Sequence, residues 1–166
     1  MTLPESGNST VPYATGHTDR LITDFTEPIF AAAFQCYFAE LGIEVPDWGR
    51  LFRQMNDEGS NTALLRTTAD GRAIGFIQFQ PIEFTSWFFR ETCGFIREFW
   101  VAEDFRSGGH GAALLGLAEA HFVEQGMHTS ILTTDTVPDF YRKRGYIQAP
   151  GCEARNGGAV FVKRLD

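Results

Sequence analysis

The chain has 166 residues, 43% of them hydrophobic with sixteen phenylalanines, which suits one domain with a full, aromatic core. Its net charge of −7 argues against nucleic acid, whose phosphates call for a basic surface; it fits a cationic acceptor and plain solubility alike. The longest apolar stretch, Ile29 to Phe38, is about half a membrane span, and no basic patch followed by an apolar block marks a secretory signal. Residues 1 to 17 are rich in Pro, Ser, Thr, Gly and Asn and read as a flexible tail; 18 to 166 read as a single domain. A short strand is expected near Arg20-Leu21-Ile22. Thr26-Glu27-Pro28 looks like a helix start with a capping hydroxyl and proline in the first turn. Ile29, Phe30, Ala33, Phe34, Tyr37, Phe38 and Leu41 recur at helical spacing, and Gly42 fits the stop. Asp47 is placed to cap a second helix bearing Trp48, Leu51, Phe52 and Met55.

A hairpin follows, with strands over Thr62–Thr67 and Ala73–Gln80 and a turn at Asp70-Gly71. Pro81 is expected to break the pattern, and Ile82 to Arg90 fits an extended strand or a short helix equally. Cys93 to Val101 reads as a buried central strand. A helix is expected from about Gly109 to Gly126, a strand over Thr129–Thr134 and a helix over Pro138–Arg144. Two short strands end the chain, Tyr146-Ile147-Gln148 and Ala159–Lys163. Strands outnumber helices and do not alternate strictly with them, which points to an α+β fold around a mixed, mostly antiparallel sheet.

The richest signal is Arg106-Ser107-Gly108-Gly109-His110-Gly111, set between the central strand and the long helix. Glycines at a helix N-terminus let backbone amides and the helix dipole hold a phosphate. There is no Gly-Lys-Ser/Thr of a Walker loop, and the third glycine of a dinucleotide fingerprint is missing. Arg106-x-x-Gly109-x-Gly111 resembles the Gln/Arg-x-x-Gly-x-Gly/Ala motif of the GNAT superfamily of acyl-CoA-dependent N-acetyltransferases. Phe140-Tyr141-Arg142-Lys143-Arg144-Gly145-Tyr146 resembles that family's second signature, and Gly75 matches a glycine common in its third strand. The resemblance covers about residues 60 to 165 and implies splayed strands that form an acetyl-CoA cleft.

From the resemblance, Tyr141 is the general acid for the departing thiolate, since a phenol with pKa about 10 stays protonated at neutral pH. Tyr141 could also simply pack beneath the coenzyme. Glu98 is the candidate base, placed by strand alternation with Ile96 and Trp100 unless a bulge intervenes, with a raised pKa between aromatics. A pairing with Arg97 is the alternative; Glu83 and Glu91 are lesser candidates. Coenzyme binding falls to the backbone of Phe99 and Val101 and to Arg106, Ser107, Gly108, Gly109, Gly111 and Ala112, with the Val101 amide at the thioester carbonyl. Thr134 stands where the family often has asparagine, and His110 where it has an aliphatic residue; His110 either packs or touches the coenzyme. The resemblance walls the acceptor pocket with Phe34, Tyr37, Phe38, Glu44, Trp48, Glu83, Phe84, Trp87 and Phe88, residues that equally suit a core and a homodimer interface. No metal is expected, because the three cysteines and four histidines lack ligand spacing. Cys93 lacks the histidine partner of a nucleophile. The expected function is therefore transfer of acetyl from acetyl-CoA to a primary amine of a small molecule or peptide, by direct attack, in the cytoplasm. A catalytically silent acyl-CoA-binding sensor or scaffold is the alternative.

Overall fold

The computed structural model describes residues 16–166. Most of the expected tail therefore lies outside the described residues, and its last residue, His17, already belongs to a strand. In chain order the elements are β1 (His17–Ile22), α1 (Pro28–Glu40), α2 (Trp48–Glu58), β2 (Thr62–Thr68), β3 (Ala73–Thr85) and β4 (Arg90–Val101). A 3-10 turn (Glu103–Phe105) leads to α3 (His110–Glu124), β5 (Thr129–Thr134), α4 (Pro138–Arg142), β6 (Ile147–Gln148) and β7 (Ala159–Arg164). The seven strands form one sheet in the order β1-β2-β3-β4-β5-β7-β6. Every neighbouring pair is antiparallel except β4 with β5.

Local chemistry explains the helix ends, with one correction. Asp47 does cap α2, accepting from the Arg50 amide at 2.9 Å. At α1 the cap is not the Thr26 hydroxyl but the Glu27 carboxylate, which accepts from the Phe30 amide at 2.7 Å. Thr26 instead donates its hydroxyl to Asp24 at 2.6 Å.

Two apolar layers sandwich the sheet. On the α1/α2 face, Phe25, Phe30, Phe34, Phe52, Leu65, Phe76 and Trp100 pack together, with the Phe30 and Phe76 ring centroids 5.1 Å apart. The opposite face buries Leu64, Ile77, Phe79 and Ile96 beneath Leu114, Leu115, Ala118 and Phe122 of α3. Gly94 makes that layer fit: a Cβ there would collide with the Phe122 ring.

Pro81 does not end β3. Pairing with β2 stops at Phe79, so beyond that point β3 has only β4 as a neighbour, and a missing N–H on the free edge is tolerated. The segment left open between strand and helix is thus the far end of a long hairpin. Its turn is closed by the Ser86 amide on the Phe89 carbonyl at 2.7 Å, with Trp87 and Phe88 at the tip.

Candidate active site

β4 and β5 run side by side only at Gly94–Ser130 and Phe95–Ile131, and beyond that rung they diverge. A cleft of about 530 Å³ opens between them, walled by Phe99, Val101, the turn after β4, the first turn of α3 and the short α4. Its floor has main-chain donors on two sides. The Ala102 amide donates to the Ile74 carbonyl on β3 at 2.8 Å. Successive amides of a strand point to opposite edges, so that of Val101 leaves β4 by the edge β5 has vacated. On the other side, none of the amides from Ser107 to Ala112 has an acceptor among the described residues; the first helical bond is Ala113 N–H to Gly109 O at 3.1 Å. Gly109 caps the helix at φ 83°, and Ser107 is held at φ 65°, the left-handed conformation that successive anion-binding amides use.

Tyr141 sits on α4 at the inner end of this cleft. It is buried, its hydroxyl has no hydrogen-bond partner among the described residues, and burial pushes its pKa up to about 12. Glu98 lies elsewhere. Pairing of β3 with β4 jumps from Gln78–Glu98 to Phe79–Ile96, so Arg97 is an extra, bulged residue. Ile96 faces α3, whereas Glu98 and Trp100 face α1 and α2. The bulge thus separates Glu98 from Ile96, with which simple alternation would group it. Glu98 borders a second hollow of about 660 Å³, alongside Phe34, Phe38, Leu51, Asp57 and Glu58. Burial raises the Glu98 pKa above the usual carboxylate range; the Tyr37 hydroxyl, turned toward it from α1, and the Arg97 charge oppose that rise. Tyr37 in turn is pushed upward by burial and by the Glu98 charge, and it also feels Tyr141. Tyr37 lines neither hollow, yet it feels both Glu98 and Tyr141.

This arrangement of split parallel strands, open amides and a buried tyrosine agrees with the comparisons. The model of the acetyltransferase (GNAT) family matches residues 23–146. The chain belongs to that family. No curated protein matches the sequence. Among solved structures, a candidate GNAT acetyltransferase from Desulfovibrio desulfuricans is 15% identical with a TM-score of 0.68, over 91% of this chain and 100% of that one. The GNAT-family N-acetyltransferase YhbS from Escherichia coli, solved with CoA, is 18% identical with a TM-score of 0.65, over 90% and 82% of the two chains. An aminoglycoside acetyltransferase from an uncultured soil sample, solved with trehalose, is 16% identical with a TM-score of 0.64, over 84% and 91%. At these identities the likeness speaks for the fold, which is that of a GNAT acetyltransferase.

In this GNAT chain, Phe99, Val101, Arg106, Ser107, Gly109, Gly111, Ala112 and Tyr141 all border the cleft, whereas Gly108, Thr134 and Glu98 do not. The Arg106 side chain is already engaged, donating to the Val101 carbonyl at 2.9 Å and to Glu40 at 2.6 Å; it staples the end of β4 to α1. Thr134 accepts from the Val137 amide at 3.4 Å, at the start of α4. The lesser carboxylates are tied to arginines, Glu83 to Arg90 and Glu91 to Arg164, each at 2.8 Å. Of the aromatics assigned to an acceptor pocket, Phe34 and Phe38 line the second hollow, with Tyr37 and Trp48 packed against the same core. Trp87 and Phe88 are 99% and 98% exposed at the hairpin tip and wall no pocket among those of the described residues. Cys93 is buried, and burial raises its thiol pKa, which disfavours a thiolate.

Sequence reasoning missed Arg144. It lines the cleft, donates to the Phe140 carbonyl at 2.7 Å and lies 3.8 Å over that ring. The basic run Arg142-Lys143-Arg144 was the available signal for a cation beside this cleft. Among the described residues no group of three or more His, Cys, Asp or Glu side chains could hold a metal, and no helix is long and apolar enough to cross a membrane.

Proposed function

We propose that this protein transfers an acetyl group from acetyl-CoA to a primary amine of a small molecule or peptide. The observation that carries the reading is the run of open amides from Ser107 to Ala112 along the cleft that Tyr141 closes. A diphosphate is the group such a run suits, because it accepts several hydrogen bonds and meets the positive end of the α3 dipole. The residues present fit the coenzyme. The loop takes the diphosphate, Arg144 adds a positive charge, and the vacated edge of β4 offers the Phe99 and Val101 main chain to the amides of the pantetheine arm.

In the reaction the amine nitrogen attacks the thioester carbonyl directly. The Val101 N–H stabilises the oxyanion of the tetrahedral intermediate. Glu98, reached through the second hollow, takes the proton that the amine loses, and its raised pKa suits it to that task near neutrality. Collapse breaks the C–S bond, Tyr141 protonates the departing thiolate, and the products are an acetamide and free CoA. No acyl-enzyme is needed. The acidic and aromatic second hollow favours a cationic acceptor, and the aminoglycoside acetyltransferase among the structural neighbours shows that such acceptors occur on this fold.

One observation favours a silent acyl-CoA binder: Glu98 stands off the cleft, on the other face of the strand. A thiol-release assay with acetyl-CoA over amines, polyamines, aminoglycosides and peptide N-termini decides between the two. Release with at least one amine supports transfer. Coenzyme binding without turnover on any of them would assign the protein as a sensor, and no calorimetric heat with CoA would overturn both readings.

A further inference from the structure

Beneath the coenzyme loop lies a charged assembly that the reaction does not use. Arg66 of β2 is only 5% exposed. Directly across the ladder stands Asp19 of β1, which it grips with two hydrogen bonds, Nε to Oδ1 at 2.8 Å and Nη2 to Oδ2 at 2.9 Å. Its remaining arm points the other way, with Nη1 3.2 Å from Nδ1 of His110. Arginine has only donors, so His110 Nδ1 must accept, and the imidazole is held neutral with its proton on Nε2.

His110 is the first residue of α3, immediately after the left-handed Gly109. Its ring is wedged edge-on between His17 (6.1 Å) and Phe105 (6.0 Å). Gly108 faces it: a Cβ there would meet His110 Cδ2 at 3.4 Å, an ordinary contact. Neither Arg66, Asp19 nor His110 lines the cleft. Whatever they do for a ligand, they do through the backbone of the loop.

We propose that Arg66, braced by Asp19, is a positioning residue for the coenzyme loop, its Nη1 bond to His110 Nδ1 holding the imidazole under Gly108 and so aiming the first amides of α3 into the cleft. The inference rests on the reading of that cleft as the coenzyme site. It assigns a task to a residue that departs from the aliphatic one usual at this position, and to an ion pair that does not line the cleft.

The groups facing His110 set the sign of its pH response. Arg66 comes from β2, His17 and Asp19 from β1, and uncharged Phe105 from the 3-10 turn. Burial, then Arg66 and His17, push the His110 pKa below its usual value, with Asp19 opposing. Neutral imidazole therefore prevails at pH 7. Acid puts a proton on the very atom that accepts from Arg66, which breaks the tether and sets two cations face to face.

The test needs a readout in the free protein and one with coenzyme, on His110→Leu, His110→Asn and Arg66→Met. Nitrogen-15 NMR of the wild type should show the Nε2–H tautomer; the Nδ1–H tautomer overturns the proposal. Hydrogen exchange at the Ala113 amide, bonded to the Gly109 carbonyl, should quicken about tenfold in His110→Leu, a substitution of similar bulk, and return in His110→Asn, whose Oδ1 stands where Nδ1 does and can accept from Nη1. Unchanged exchange in His110→Leu overturns the tether whether or not coenzyme binds. Arg66→Met, which leaves Asp19 unpaired, is read only with a melting curve beside it. By calorimetry, CoA affinity should fall about tenfold in His110→Leu, and the KM for acetyl-CoA should rise while kcat holds. Wild-type affinity should weaken as the pH falls below the usual imidazole range, and that loss should be absent in His110→Leu. Tighter binding in acid would mean that an imidazolium grips phosphate directly, which also overturns the proposal. If the wild type gives no heat with CoA, the coenzyme assignment fails, while the exchange experiment still judges the tether.

Discussion

The two hollows that flank the end of β4 are built on different principles. The cleft on the α3 side draws most of its polar groups from main chain, amides from Ser107 to Ala112 and the freed edge at Val101, with the Arg144 and Tyr141 side chains beside them. The hollow on the α1/α2 side draws its polar groups from side chains, among them Glu98, Asp57, Glu58 and Gln78 between aromatics. A site of the first kind recognises what every acyl-CoA shares. A site of the second kind has its chemistry set residue by residue, and under the proposed function this is where a choice among amines would be made.

That contrast is sharpest at Tyr141, the side chain on the cleft side to which the proposed reaction gives a proton to donate. Tyr141→Phe should lower kcat by roughly a hundred- to ten-thousand-fold, the range for loss of a general acid, with the CoA dissociation constant unchanged in calorimetry. A simple packing role would instead spare kcat. Because burial holds this phenol at about 12, kcat should show no alkaline loss from Tyr141 up to about pH 10.

Glu98→Gln probes the other side. It should cost about a hundredfold in kcat/KM for the amine and leave CoA affinity untouched. In the wild type the base must be ionised to work. Its raised pKa therefore places the acid limb of the pH profile above the ordinary glutamate range, and the limb should vanish in the variant.

Gly109→Val attacks the main-chain design directly. A branched side chain at φ 83° costs about 1–2 kcal/mol, so CoA affinity should fall by about tenfold, with kcat at saturation near the wild-type value. Tyr37→Phe removes the hydroxyl that favours ionised Glu98, so the acid limb should move to higher pH; a limb that stays put would deny the contact. Ser107→Ala should change CoA affinity by less than about twofold, because only its backbone is used. A large loss there would break the main-chain account of the cleft.

The same division explains what could be read in advance. Glycine spacing announces a backbone site, because only certain residues adopt the φ values it needs. The loop, the helix after it and the position of Tyr141 were accordingly legible. For Glu98, the proposed base, the sequence left the face open to whether a bulge intervenes. Its face depends on one unpaired residue, Arg97, and nothing in Phe95-Ile96-Arg97-Glu98-Phe99 announces which residue will be squeezed out of the ladder. Pro81 misled for a related reason, since its cost depends on whether β2 is still alongside, a matter of tertiary pairing. At α1 the choice between Thr26 and Glu27 as cap turned on a single residue of phase. The His110 tether joins positions 44 residues apart in the chain, and no local pattern carries it.

The squeezed-out residue at 97 also bends the strand. The ladder already joins Phe79 to Ile96 and Gln78 to Glu98 across it, so a chain lacking Arg97 would leave every side chain of β4 on the face it now has and lose only the kink. The downstream end is moored by Arg106 to Glu40 and by Ala102 to Ile74. Straightening the strand would therefore swing its upstream half, with the long hairpin it shares with β3, about a fixed point.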